Sequence, residues 1–221
     1  MSIHFTPEGV TLNFVVNYSQ MYDWRKMSEV EKAKVLKERK ARKTAWHAPP
    51  HLEYEGDVRF IVTTACFEHK HVIGTSPERM AECETKLIKV CEEFGVKLFA
   101  WCVLPNHYHL LVQTHRIKEF QEAGLGKYHG SSSFRWNGED NSRGRKVWYK
   151  SFERPLKSDR HFWASLNYVH HNPVKHGYVS RWQDWAFSSA NNYLENMGKE
   201  KAVEIWREYP ILDYGKDWDF D

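Results

Sequence analysis

The most restrictive feature of the sequence is the run from Val96 to Thr114, VKLFAWCVLPNHYHLLVQT. It contains two apolar segments rich in β-branched and aromatic residues, which favour strands. Pro105 and Asn106 separate them, and both residue types favour turns. We therefore expect two neighbouring strands joined as a hairpin. His107 and His109 are two residues apart on the second strand, so their side chains lie on the same face of the sheet.

The segments around this hairpin predict an α+β fold with helices layered on a mostly antiparallel sheet. VRFIVTTACF, which starts at Val58, has the composition of a strand, and Gly95 is a candidate C-cap for the helix before the hairpin. The stretch 124–159, rich in Gly, Ser, Arg and Lys, predicts a long basic loop or hairpin. Helices are predicted for Pro77 to Phe94, for His161 to Asn172 with Pro173 ending it, and for Lys199 to Tyr209.

The N-terminal part predicts a basic helix from Ser28 to Trp46. Ser28 and Glu31 have the spacing of a capping box, and consecutive prolines at 49 and 50 end the pattern. The helix carries Lys37 and Lys40, and two interpretations are equally open: a solvated surface element or a phosphate-binding element. We expect an N-terminal extension over residues 1–56 and one domain over residues 57–221.

Composition excludes several classes of protein. Hydrophobic residues make up 41% of the 221 residues, enough for a packed core. No apolar run approaches membrane-spanning length, and MSIHFTPEG lacks the pattern of a secretory signal, so we expect a cytoplasmic protein with no membrane partner. The four cysteines form no CxxC pair and are expected to be reduced core thiols. The net charge of +3 does not by itself indicate nucleic-acid binding.

Two short patterns could carry chemistry. The parallel imidazoles of His107 and His109 can chelate a divalent ion, although most isolated His-x-His pairs are ordinary polar residues of a sheet. A second pair, His69 and His71, lies among charges before Gly74 and predicts only an exposed turn.

The second pattern lies on the helix before Pro173. Tyr168, His171 and Asn172 share one helical face because they are related by i, i+3 and i+4 spacing. A phosphotyrosine-forming enzyme needs a tyrosine beside metal-capable side chains. Taken alone, Tyr168 is more often a packing tyrosine than a nucleophile.

Together the two patterns resemble one family, the HUH-type single-tyrosine transposases of insertion sequences, and within it the REP-associated tyrosine transposases. The resemblance covers Val58 to Tyr193, whereas residues 1–56 depart from it. The matching segments are LPNHYHLLVQT, GRKVWYKSFERPLKSDRHFWASLNYVHHNPVKHGYV and RWQDWAFSS.

The resemblance implies a ferredoxin-like antiparallel sheet with helices packed on one face. It implies that His107 and His109 bind Mg²⁺ or Mn²⁺ with Asn172 as third ligand, and His171 is a rival for that place. Tyr168 would attack a single-stranded DNA phosphate, leaving a free 3′-hydroxyl and a 5′-phosphotyrosine. The implied partners are DNA hairpins with flanking single strand, bound by a nucleoid-associated monomer or homodimer.

Basic residues interleaved with aromatic ones precede the tyrosine helix, a composition suited to DNA because cations bind phosphates and rings stack on unpaired bases. A solvated loop is the alternative interpretation of this segment. Two functions stay open: a metal-dependent DNA nickase and strand transferase, and a domesticated hairpin-binding protein with little or no cleavage activity. The candidate DNA-binding residues here are Arg135, Arg143, Arg145, Lys146, Lys150, Arg154 and Lys157, with Lys37 and Lys40 in the N-terminal helix.

Overall fold

The computed structural model describes residues 56–211 and 214 and, in the N-terminal part, residues 28, 30, 31, 34 and 37. The chain divides into two units, Met1–Glu53 and Tyr54–Asp221. Among the residues described, no helix combines the length and the apolar character needed to cross a membrane.

The described residues of the first unit support the start of the predicted basic helix. Val30, Glu31, Lys34 and Lys37 are helical. The capping box is present, because Ser28 N donates to Glu31 Oε2 at 2.8 Å and Glu31 N donates to the Ser28 hydroxyl at 3.4 Å. Lys40 and the other residues of the predicted helix lie outside the described part.

The second unit is built on a four-stranded sheet with the order β2-β3-β1-β4, in which all neighbours are antiparallel. The strands are β1 (Val58–Ala65), β2 (Lys97–Val103), β3 (His107–Thr114) and β4 (Phe152–Pro155). The helices are α1 (Pro77–Glu93), α2 (Gly126–Glu139), α3 (Asp159–Lys175), α4 (Ala190–Met197) and α5 (Lys199–Glu208). Shorter helical turns are Phe67–His69, Ile73–Thr75, Ile117–Glu119, Phe120–Leu125 and Trp182–Asp184.

The connectivity β1-α1-β2-β3-α2-β4 is ferredoxin-like. The predicted α+β class and the predicted hairpin of β2 and β3 are confirmed. α1 also begins and ends as expected, because Ser76 accepts a hydrogen bond from Arg79 N at 3.2 Å, and Gly95 follows the helix with a φ of 62°. Gly95 can adopt this left-handed conformation without the strain that a Cβ would cause.

Helices cover both faces of the sheet. Alternating strand residues, among them Phe60 of β1 and Leu110 of β3, pack with α1 and α2 on one face. Ile61 and Leu111 point the other way and pack with α3. Because side chains alternate along a strand, His107 and His109 share the face of Leu111 and meet α3. The expected packing of helices on one face of the sheet therefore holds for α1 and α2, whereas α3 packs on the opposite face.

The prediction of a loop or hairpin over residues 124–159 is wrong in its first half, because α2 occupies Gly126–Glu139. Glycine and serine have poor helix propensity, but Tyr128, Ser132 and Trp136 follow one another at four-residue intervals and are all buried. The free energy gained by burying this face of the helix outweighs the low helix propensity of its glycines and serines. The serine hydroxyls are also satisfied inside the helix, as when Ser133 donates to the His129 carbonyl at 2.6 Å.

The prediction that Pro173 ends the tyrosine helix is also wrong. α3 starts after its N-cap Ser158 and continues through Pro173 to Lys175. Pro173 lacks an amide hydrogen, but the last turn is held by His176 N, which donates to the Asn172 carbonyl at 3.1 Å. The C-terminal helix α5 is confirmed, whereas α4 was not predicted.

Candidate active site

The predicted histidines lie at the start of β3, next to the end of β1. His107 is opposite Ala65 and His109 is opposite Thr63 in the antiparallel register. The preceding turn is closed by Leu104 N, which donates to the His107 carbonyl at 2.8 Å. The two imidazole rings are 5.0 Å apart between centroids, and both histidines are buried, with exposed fractions of 3% and 0%.

Each imidazole is oriented through its Nδ1 atom. His109 Nδ1 lies 2.8 Å from the Thr63 hydroxyl, and His107 Nδ1 lies 2.6 Å from the Asn106 side-chain oxygen. Such a partner on Nδ1 orients the ring and leaves the other nitrogen able to bind a metal. Nε2 is therefore the candidate ligand atom in both rings.

Asn172 brings an amide oxygen to this pair, with Oδ1 3.1 Å from His107 Nε2. Amide oxygens only accept, so in the tautomer that donates through Nδ1 to Asn106 the Nε2 lone pair of His107 faces the lone pairs of Asn172. A cation between the two acceptors would relieve this repulsion. Asn172 is fully buried, and its Nδ2 has no hydrogen-bond partner within the described part of the chain. The donor set of imidazole nitrogen and amide oxygen fits a divalent ion such as Mn²⁺.

The two histidines before Asn172 point elsewhere. His170 Nε2 lies 2.8 Å from the Ser189 hydroxyl, and burial lowers the pKa of His170 to about 3, so this ring is neutral. The ring of His171 lies 5.3 Å from that of Trp206 on α5, and burial lowers its pKa as well. Within residues 56–211, no cluster of three or more His, Cys, Asp or Glu side chains is placed to hold a metal. An ion at this site therefore depends on the amide oxygen.

Tyr168 lies one helical turn before Asn172 and beside the histidines. Its ring centroid is 5.2 Å from that of His109, and the Lys175 ammonium lies 5.4 Å from the centre of the Tyr168 ring. Tyr168 is 1% exposed, and the ring of Tyr214 packs against it at 5.5 Å.

Sequence reasoning missed Lys175 and His176. The ring of His176 lies 5.0 Å from that of His107. Lys175 is seven residues after Tyr168, which is two turns along the same face of α3, so its position followed from helical spacing. Because Pro173 was expected to end the helix, Lys175 was not placed on the helical face of Tyr168.

The predicted DNA-binding residues fall into two groups. Arg135 and Arg145 form ion pairs: Arg135 with Glu82 and Glu139, and Arg145 with Asp140 at 2.6 Å. The pairs of Arg135 join α2 to α1 and to its own last turn, and the pair of Arg145 lies within the loop after α2. The other predicted cations of this region lie on aromatic rings or are exposed; they are Arg143, Lys146, Lys150, Arg154 and Lys157.

A ferredoxin-like sheet that places a His-x-His pair beside a helical tyrosine is the arrangement expected of a tyrosine transposase. A family model described as "Transposase IS200 like" matches residues 57–172, just over half of the chain. The chain belongs to this transposase family and is a transposase-like, DNA-processing protein. The resemblance to REP-associated tyrosine transposases that the motifs predicted is confirmed.

Two relatives carry that name. A Haemophilus influenzae protein assigned as a REP-associated tyrosine transposase is 28% identical over 133 residues, which cover 56% of this chain and 74% of the relative. The REP-associated tyrosine transposase of Escherichia coli is 28% identical over 109 residues, covering 47% of this chain and 59% of the relative. A solved REP-associated tyrosine transposase bound to a REP hairpin matches with a TM-score of 0.51 at 19% identity, over 79% of this chain and 93% of that one. This likeness supports the fold.

Proposed function

We propose that the protein nicks single-stranded DNA beside a hairpin and transfers the strand through a 5′-phosphotyrosine on Tyr168. The observation that carries this proposal is the position of Tyr168, 5.2 Å from the ring of His109 and one turn from Asn172. The hairpin substrate is supported by the matching transposase structure, which holds a REP hairpin.

The reaction needs a nucleophile and a leaving group but no external energy source. The Tyr168 oxygen attacks the phosphorus, its proton is lost, and the bond from phosphorus to the 3′ oxygen breaks, leaving a 3′-hydroxyl after protonation. Because the tyrosyl ester retains the phosphodiester energy, a 3′-hydroxyl can attack it and rejoin the strands. Lys175 stabilises the phenolate through its charge.

We propose that His107, His109 and Asn172 hold Mg²⁺ or Mn²⁺. When bound, the ion would neutralise charge on the scissile phosphate. Thr63 and Asn106 orient the two imidazoles, and the burial of the site excludes water, which strengthens electrostatic interactions there.

One observation favours the second candidate function, a hairpin-binding protein with little or no cleavage. Tyr168 is 1% exposed and is covered by Tyr214, whose hydroxyl makes a short hydrogen bond to the Ser165 side chain. A DNA phosphate reaches the Tyr168 oxygen only if Tyr214 moves aside.

Covalent capture of DNA tests the proposal. Single-stranded hairpin oligonucleotides are incubated with Mn²⁺ and the protein and run on a denaturing gel. We expect an adduct for the wild type and none for Tyr168→Phe or His107→Ala, with hairpin affinity of Tyr168→Phe within about twofold of wild type. Hairpin binding without any adduct would favour the non-cleaving function.

A further inference from the structure

A cluster of aromatic rings and one lysine lies beside the candidate site and has no role in the reaction described above. We call Phe67, His69, Lys146 and Tyr149 the aromatic platform. The rings of Phe67 and Tyr149 are 5.0 Å apart, and that of His69 is 6.1 Å from Tyr149. The Lys146 ammonium lies 4.6 Å from the centre of the Phe67 ring and 5.5 Å from that of Tyr149.

The platform is built from two backbone segments that continue the sheet beyond β1. Phe67 N donates to the Val147 carbonyl at 2.7 Å, and Tyr149 N donates to the Ala65 carbonyl at 2.9 Å. Ala65 is opposite His107 in the register of β1 and β3. The platform is therefore at the end of the sheet where the first histidine of the site lies.

The turn that carries the platform is strained. Glu68 and His69 have φ values of 56° and 53°, a region that side chains other than glycine rarely adopt. Asn106 stabilises this conformation of the turn. Its Nδ2 donates to the His69 carbonyl at 3.1 Å, and its Oδ1 contacts His107. One side chain thus ties the strained turn to the candidate metal site, which is typical of functional loops.

The exposure and charge of the platform suit a nucleic acid. Tyr149 is 37% exposed, unusually high for a large aromatic residue in this structure. Lys146 is exposed and, in the described part of the chain, has no carboxylate within salt-bridge distance. The neighbouring Arg145, in contrast, forms an ion pair with Asp140, five residues before it. The one carboxylate in the turn, Glu68, is paired with Lys70 at 2.7 Å.

We infer that the aromatic platform binds an unpaired nucleotide of the single strand next to the scissile phosphate. The base stacks on the exposed ring of Tyr149, and Lys146 binds the adjoining phosphate. Stacking on an aromatic ring tolerates any base, whereas paired bases in a duplex do not offer their faces. The platform therefore selects single-stranded over duplex DNA at the cleavage site. This inference rests on the proposed DNA substrate but not on cleavage by Tyr168.

Binding of defined oligonucleotides tests the inference in a Tyr168→Phe background, where no covalent capture interferes. The probes are fluorescent oligo(dT) of 12 nucleotides and the matching 12-base-pair duplex with oligo(dA), followed by anisotropy. Tyr149→Leu removes the ring but keeps apolar bulk, and we expect it to weaken oligo(dT) binding about fivefold or more without changing duplex binding. Lys146→Ala should lower the salt slope of oligo(dT) binding by about 0.7.

A second cation–aromatic pair provides matched controls. Lys97 lies 5.0 Å from the centre of the Phe99 ring on β2, and Lys97 is opposite Gln113, about 20 Å along the strand from His107. Lys97→Ala and Phe99→Leu should leave oligo(dT) binding unchanged. Equal losses in the control variants, or unchanged binding by Tyr149→Leu, would overturn the inference.

Photochemical crosslinking checks the stacking without any variant. Oligo(dT) carrying 5-iodouracil should crosslink to Tyr149 or Phe67, identified by peptide mass spectrometry, and crosslinks found only elsewhere would contradict the inference. The covalent-capture experiment separates the two proposals. If DNA is captured covalently but no crosslink forms to the platform, nucleotide binding by the platform is refuted and cleavage by Tyr168 is not. If the platform crosslinks but no DNA is captured, cleavage is refuted and nucleotide binding by the platform is not.

Discussion

The side-chain oxygen of Asn172 on α3 lies 3.1 Å from Nε2 of His107 on β3. This contact depends on the packing of the two elements, because Leu166 and Val169 of α3 bury against the sheet residue Leu111 and fix the rotation of the helix. Tyr168 is one turn from Asn172, so the same rotation brings both to the histidine face. Packing of an apolar helix face thus assembles the candidate nucleophile and the candidate metal site together.

Asn172→Ala should weaken Mn²⁺ binding by about tenfold or more. The substitution removes the amide oxygen that faces His107, and loss of even an outer metal-site contact costs about 10- to 100-fold in affinity. Titration of Mn²⁺ followed by electron paramagnetic resonance measures this, because it reports the free ion directly.

His171→Ala is the control for Asn172→Ala. The His171 ring packs against Trp206 and not against the site histidines, so the variant should bind Mn²⁺ as the wild type does. If His171→Ala loses Mn²⁺ and Asn172→Ala keeps it, the assignment of the third ligand is reversed.

Thr63→Val should weaken Mn²⁺ binding about 10- to 100-fold while the protein stays folded. Valine keeps the shape of threonine but removes the hydroxyl that lies 2.8 Å from His109 Nδ1 and orients that ring. Calorimetric titration with Mn²⁺ measures the change. Thr64→Val is the matched variant: its hydroxyl donates to Ser151 at 2.8 Å, so Mn²⁺ affinity should not change. Equal losses in both variants would show a general effect on the strand.

The sequence predicted the parts of this site that depend on local spacing. The alternation along β3 placed His107 and His109 on one face, and the helical repeat placed Tyr168 and Asn172 together. It could not choose between His171 and Asn172, because residues three and four positions after Tyr168 both lie near its face. The choice depends on how α3 rotates against the sheet and on Trp206, which comes from a distant helix.

The predicted loop over residues 124–159 failed for a different reason. Local composition favoured a loop, since Gly126, Gly130 and three consecutive serines disfavour a helix. The helix forms because Trp136 and its neighbours bury against a core whose other members are far away in sequence. Burial against residues that are distant in the sequence cannot be predicted from a short stretch of the sequence.

One predicted DNA-binding cation of that segment also makes a structural contact. Arg145 lies 2.6 Å from Asp140, which also pairs with Arg79 at 2.7 Å. Hydrogen bonds from Arg79 and then Arg145 lower the pKa of Asp140 to about 2 from the ordinary 3.8. The Asp140 carboxylate thus links α1, through Arg79, to the loop after α2, through Arg145.

Asp140→Asn should lower the free energy of unfolding by about 2 kcal/mol at pH 7. Because the folded-state pKa is depressed, the stabilisation is complete well above pH 3.8 and is lost as the pH falls towards 2. Urea unfolding at several pH values should therefore show the difference from wild type shrinking below about pH 4.5. A difference that does not depend on pH would contradict the ionic origin of the effect.

Asp184→Asn is the control for this prediction. Asp184 pairs with Arg181 at 2.8 Å on the surface, where such pairs contribute about 0–1 kcal/mol. Its substitution should change the free energy of unfolding by less than that of Asp140→Asn at pH 7.

The covalent link between Tyr168 and DNA is tested most directly by locating the DNA on the protein. The covalent adduct is digested with nuclease and protease, and the peptide that carries residual nucleotide is sequenced by mass spectrometry. We expect a nucleotide attached through a 5′-phosphate to Tyr168. Attachment to another tyrosine near the site, such as Tyr214, would contradict this.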